Sequence, residues 1–190
     1  MDIREMIQAR IENLRALVED NLTFDVHRMG ALSEQVIQTF INGGRLAFVG
    51  NGGSAAEAMH LAAEFTGRCV LDHEPLPALC LNESQSALTA IANDYGLDQM
   101  FARQASALLT SKDMIIALST SGKSINIIKC LETCVQKGMK SFLWTGESSP
   151  EFPGVELYRV PSNSTPRIQE VHLAWGHILA ESVEFFFRAT

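Results

Sequence analysis

Twice in this chain a short, wholly apolar run ends in a loop of glycines or serines and is followed by a helical pattern. Leu46-Ala47-Phe48-Val49 leads into Gly50-Asn51-Gly52-Gly53-Ser54, and Met114-Ile115-Ile116-Ala117-Leu118 leads into Ser119-Thr120-Ser121-Gly122-Lys123-Ser124. A run without polar alternation marks a strand covered on both faces, as parallel sheets require, and the helix after it supplies the crossover. Helices are expected over 54–65 and again where Ile127, Ile128, Leu131 and Val135 repeat at helical spacing. Three further runs, Leu79-Cys80-Leu81, Ser141-Phe142-Leu143-Trp144 and Leu157-Tyr158-Arg159-Val160, bring the expected strands to five. The segment between Leu81 and Met114 reads as polar to helical, with a turn at Asn93-Asp94-Tyr95-Gly96, and a long helix is expected over 166–188. Ahead of the sheet, Ile7, Ile11, Leu14, Leu17 and Val18 and then Met29, Leu32, Val36, Ile37 and Phe40 predict two helices, the second ending at Asn42-Gly43-Gly44. The expected fold is an α/β, doubly wound, five-stranded parallel sheet flanked by helices, with N-terminal helices in 1–42 and the α/β core and C-terminal helix in 43–190. In such sheets ligands bind at the carboxyl ends of the strands, where both polar loops fall.

The chain has 190 residues, 46% hydrophobic and 19% charged, which suits one domain with one core and leaves no apolar run long enough to span a membrane. Met1-Asp2-Ile3-Arg4-Glu5 lacks the basic start of a secretory signal, so a cytoplasmic location is expected. Cys69, Cys80, Cys130 and Cys134 form no C-x-x-C pair and read as reduced packing residues. A net charge of -7 opposes binding to nucleic acid, although backbone amides at helix starts bind phosphate whatever the net charge.

The loop from Ser119 to Ser124 offers hydroxyls and exposed amides at a helix start, the composition of a phosphate cradle; a serine-capped turn is the bland alternative. Gly122-Lys123-Ser124 is not a nucleotide P-loop, because the glycine such a loop needs five residues earlier is Ala117, inside a strand. Gly50, Gly52 and Ala55 fit a dinucleotide-binding spacing, but the candidate acid Asp72 falls before the second strand, whose end offers Asn82-Glu83, and no nucleotide cofactor is expected. His60 and Glu64 lie one helical turn apart on one face, a pair able to hold a divalent ion such as zinc or to take a proton next to a carbonyl. The last helix carries Gln169, His172 and His177. Gln169 and His177 are separated by about 12 Å along the axis, so they either converge on one ion or serve different sites in an oligomer. His172 reads as a packing residue, and Cys130 and Cys134 get no role.

In combination, Gly50-Asn51-Gly52-Gly53-Ser54-Ala55-Ala56, His60 and Glu64 with Thr66-Gly67-Arg68, Asn93-Asp94-Tyr95-Gly96, Ser119-Thr120-Ser121-Gly122-Lys123-Ser124 and Arg167-Ile168-Gln169-Glu170 resemble the phosphoheptose (sedoheptulose 7-phosphate) isomerases. These belong to the sugar isomerase (SIS) fold group, which is flavodoxin-like, and the likeness runs over about residues 40–180. The resemblance implies an aldose-ketose isomerase that forms D-glycero-D-manno-heptose 7-phosphate for bacterial heptose glycans such as lipopolysaccharide. It also implies a homotetramer with active sites near subunit interfaces and one zinc per subunit. By the same resemblance Ser119, Thr120, Ser121 and Ser124 hold phosphate, while Asn51, Gly52, Gly53, Asn93 and Asp94 line the substrate together with Glu64 and Gln169. His60, Glu64, Gln169 and His177 form the metal set, and Glu64 and His177 the acid/base pair. The chain departs from the family at Glu147-Ser148-Ser149-Pro150, where many members carry a glycine-rich turn, and at Pro166. The alternative is a non-catalytic sugar-phosphate-binding or initiator-associating regulator, which has no reason to keep His60, Glu64, Gln169 and His177 together.

Overall fold

Successive side chains of a strand face opposite sides, and here each side meets its own helical layer. The computed structural model describes residues 2–20 and 23–188. Its elements are α1 (Ile3–Glu19), α2 (Val26–Ile41), β1 (Leu46–Gly50), α3 (Gly53–Thr66), β2 (Ala78–Cys80), α4 (Gln85–Tyr95), α5 (Met100–Leu108), β3 (Met114–Ser119), α6 (Ile125–Gln136), β4 (Lys140–Gly146), β5 (Val155–Val160) and α7 (Thr165–Phe187). All strand pairs are parallel, in the order β2-β1-β3-β4-β5. Leu46, Phe48, Ile116, Leu118, Phe142 and Trp144 face α2, α3 and α7 in one core. Ala47, Val49, Ile115, Ala117 and Leu143 face α5 and α6 in the other. Every side chain of β1 and β3 is buried, which is why both read as unbroken apolar runs.

Two expectations change. Asn93, Asp94 and Tyr95 form the last turn of α4 instead of a free turn, and the chain leaves that helix at Gly96, whose φ of 97° is left-handed. The polar-to-helical region also holds two helices, with a short 3-10 turn at Leu97–Gln99 between α4 and α5. Helix α1 buries Leu17 alone among its residues and leaves Ile3, Ile7, Ile11 and Val18 exposed as a stripe.

The contact that sets the position of the C-terminal helix is its packing along α3. A Cβ placed on Gly176 would lie 2.6 Å from Cδ1 of Leu61 and 2.9 Å from its Cγ, so the two helices approach at a distance only glycine allows. Farther along, the buried carboxylate of Glu184 accepts the backbone N–H groups of Cys69, Val70 and Leu71, the latter two at 3.0 Å, and meets His73 Nε2 at 3.1 Å. Burial pushes the Glu184 carboxyl up, but these donors outweigh it and hold it below its ordinary range. The segment leaving α3 is thereby tied to α7.

Gly176→Ala should therefore destabilise the protein. Overpacking of about 1–3 kcal/mol exceeds the roughly 1 kcal/mol that alanine gains over glycine in a helix. The melting temperature should drop by a few degrees, and a second substitution, Leu61→Ala, should reduce the penalty that Gly176→Ala adds; additive penalties would refute the contact as the cause.

Candidate active site

The chain leaves β1 toward β2 on one side and returns to β3 on the other, so the loops after β1 and β3 open beside each other at the carboxyl edge of the sheet. In the second loop Gly122 has a φ of +63°, and a side chain there would strike Ser149, whose Cβ would lie 2.6 Å away. The loop is also tied to the end of β4, with Gly146 N–H donating to the Thr120 carbonyl at 3.1 Å. Ser119 is buried, Thr120 half-buried and Ser121 exposed, with Ser121 Oγ accepting Lys123 N–H at 3.1 Å. Ser124 is the N-cap of α6 but makes no side-chain cap bond.

The first loop is held from both sides. Asn82 is buried at the end of β2, accepts Gly50 N–H at 3.1 Å and donates to the Gly50 carbonyl at 2.9 Å. The position where a dinucleotide fold places its acid is thus occupied by an amide engaged with the loop backbone. Asn51 pairs with Asn126 at the start of α6 through two hydrogen bonds of 2.9 Å, and Gly52 precedes α3 as its N-cap. Gln169 of α7 lies against Gly53, its amide 3.3 Å from Ser54 Oγ.

Two turns farther along the same pair of helices, His60 and His177 meet. Their Nε2 atoms are 2.9 Å apart with the rings nearly perpendicular at 84°, so one Nε2 carries a proton and the other accepts it. Glu64 Oε1 is 3.4 Å from His60 Nε2. One ligand atom from each of His60, Glu64 and His177 lies within 4.8 Å of the others. Two imidazoles and a carboxylate converging from two rigid helices are a donor set that fits zinc. Because α3 and α7 run side by side, His177 reaches His60 of its own chain, so that contact needs no second subunit. Gln169 reaches the start of α3, two turns from His177. Asn93 and Asp94 are exposed, and their side-chain hydrogen bond among the described residues is to each other, at 2.8 Å.

Sequence patterns missed several neighbours of this site. Asn126 and Asn82 act on backbone or amide groups far away in the chain, which no local spacing reveals. Cys69 lies beside Glu64, and burial together with that carboxylate pushes its thiol up to about 12, so it stays protonated. His172, expected as a packing residue, is buried between Trp144 and Trp175; burial lowers its pKa to about 3, against the opposing effect of the Thr145 backbone, and keeps it neutral. Glu57, one turn before His60 on α3, is half-buried, and desolvation raises its carboxyl to about 7 despite a hydrogen bond from Ser54.

Between its ordinary value and about 7, folded Glu57 keeps a proton that the unfolded chain releases, so its effect on stability worsens as pH rises through that window. Glu57→Gln in metal-free protein should therefore gain in melting temperature over the native chain between about pH 5 and pH 8. A difference that does not change with pH would rule out a neutral buried carboxyl.

The SIS domain family model matches residues 11–142. The phosphoheptose isomerase of Thermodesulfovibrio yellowstonii is 39% identical over 97% of this chain and 92% of its own length. That of Roseiflexus is 43% identical over 94% and 89%. The phosphoheptose isomerase GmhA of Neisseria gonorrhoeae superimposes with a TM-score of 0.88 at 32% identity, covering 97% of this chain and all of that one. With the glycine loop, the hydroxyl loop and the His60–Glu64–His177 group brought together by this fold, the chain belongs to the phosphoheptose isomerases within the SIS domain family and is a sugar-phosphate isomerase.

Proposed function

We propose that this protein converts sedoheptulose 7-phosphate into D-glycero-D-manno-heptose 7-phosphate, as the first step of bacterial ADP- or GDP-heptose synthesis. The observation that carries this reading is the convergence of His60, Glu64 and His177 beside two loops suited to a phosphorylated ligand. The names of the curated relatives supply the substrate class. The same reading places the enzyme in the cytoplasm; among the described residues no helix is long and apolar enough to cross a membrane.

The hydroxyls of Ser119, Thr120, Ser121 and Ser124 and the first amides of α6 hold the phosphate, which fixes the far end of the sugar. Asn51, Gly52, Gly53, Asn93, Asp94 and Gln169 contact the sugar. The Glu64 carboxylate takes the proton from C1 of the ketose and returns it to C2, while His177 moves the hydroxyl proton from O1 to O2, so the enediol closes to the aldose with no net gain or loss of atoms. His60, Glu64 and His177 would hold zinc, which when bound polarises the carbonyl and stabilises negative charge on the sugar oxygens, while Gln169, at the start of α3 and two turns from His177, stays with the sugar contacts and not with the metal. We also place the protein in a homotetramer with its sites near subunit interfaces: the exposed stripe Ile3, Ile7, Ile11 and Val18 on α1 is the kind of face a second copy covers.

Incubation with a panel of ketose phosphates, followed by detection of the aldose, tests the reaction; failure with the seven-carbon substrate would favour a binding module. Glu64→Gln should lower turnover by about 100-fold or more, the usual worth of a general base, with the inhibition constant of inorganic phosphate unchanged. Unchanged turnover would remove Glu64 from the base role. Chelation should abolish most activity and added zinc restore it, with metal content near one per subunit; full activity in metal-free protein would leave His60 a positioning role only.

A further inference from the structure

Asn126 was singled out by no motif, yet it joins the two loops of the site. Asn51 Nδ2 donates to Asn126 Oδ1 and Asn126 Nδ2 donates to Asn51 Oδ1, each at 2.9 Å. Asn126 Oδ1 also accepts the backbone N–H of Ile127 at 3.0 Å, in the first turn of α6. That third bond decides the orientation of both amides. A backbone N–H can only donate, so the Asn126 oxygen must face Ile127, its NH2 must face Asn51, and the Asn51 oxygen must face that NH2. Asn51 is left with one N–H and one oxygen lone pair outside the pair, and its side chain is exposed on the glycine loop. A flipped Asn51 would set two donors against each other and two acceptors against each other.

We propose that Asn126 is a positioning residue that locks the Asn51 amide in the single orientation that presents one donor and one acceptor to the hydroxyls of a bound sugar phosphate. This rests on the reading of Asn51 as a sugar contact. The start of α6 thereby sets both the hydroxyl loop that holds the phosphate and, through Asn126, the polar group that meets the sugar. Removing Asn126 leaves Asn51 free to rotate, and its ordering then falls to substrate binding.

The test is a double-mutant cycle on Asn51→Ala, Asn126→Ser and the double variant, with Asn126→Ala as a second removal of the pair. Serine keeps an acceptor at the helix start, so the fold is retained. The cost of ordering a freed Asn51 amide on binding predicts that Asn126→Ser lowers kcat/KM for sedoheptulose 7-phosphate by roughly tenfold. Inorganic phosphate should inhibit the variant as it inhibits the native enzyme, and the double variant should be no worse than Asn51→Ala alone. Multiplicative losses in the double variant, an unchanged kcat/KM in Asn126→Ser or Asn51→Ala, or an equal loss of phosphate affinity would each overturn the proposal. If the native protein binds the sugar phosphate without isomerising it, the catalytic reading fails, while the same cycle read by calorimetric binding still decides the role of Asn126.

Discussion

The close approach of α7 to α3 is the contact on which the site depends. With Leu61 buried and Gly176 contributing no side chain, the helices run in register, so that Gln169 falls at the start of α3 and His177 at His60. Residues eight apart on one helix are presented to two points of another helix, and parallel packing is what converts that spacing into a shared wall. The buried Glu184 carboxylate, bonded to three backbone N–H groups just past α3, fixes the same pair of helices at their far end. A shift of α7 along α3 by one turn would separate the two imidazoles and strand Gln169.

The sheet contributes the other half of the site by its order. The chain adds β2 on one side of β1 and β3 on the other, which leaves two loops side by side, and each is braced by a neighbouring strand end: Asn82 beyond β2 holds Gly50, and Gly146 at the end of β4 holds Thr120. Ser149, in the turn at Glu147-Ser148-Ser149-Pro150, lies against Gly122, so a serine side chain fills the space next to the hydroxyl loop.

The strands were legible because burial on both faces writes itself as uninterrupted apolar runs; β1 and β3 lie within one residue of their expected limits. The His60 and Glu64 pair was legible from helical spacing alone. His177 was not, since nothing in a sequence states that residues 117 positions apart share a hydrogen bond, and only resemblance to a family joined them. Asn126 and Glu57 escaped for the same reason: a lone amide and a lone carboxyl have no pattern, and their significance lies in Asn51 and in a half-buried environment. The end of α4 was misread because Asn-Asp-Tyr-Gly has the composition of a turn, whereas only its glycine leaves the helix.

A chain with a net charge of -7 must still receive a phosphorylated sugar, and the polarity of α3 and α6 shows how. Neither helix has an acidic residue in its first turn, so the positive ends of their dipoles face the switch point unopposed. Helix α3 also lacks a basic residue in its last turn, where Glu64 lies. The start of α6 underlies the hydroxyl loop and the start of α3 the glycine loop, with His60 and Glu64 farther along α3 on the face turned to α7. Local dipoles, not the overall charge, govern which ions each end of the site accepts, and the surplus of carboxylates elsewhere on the surface is screened within about 10 Å at ordinary ionic strength.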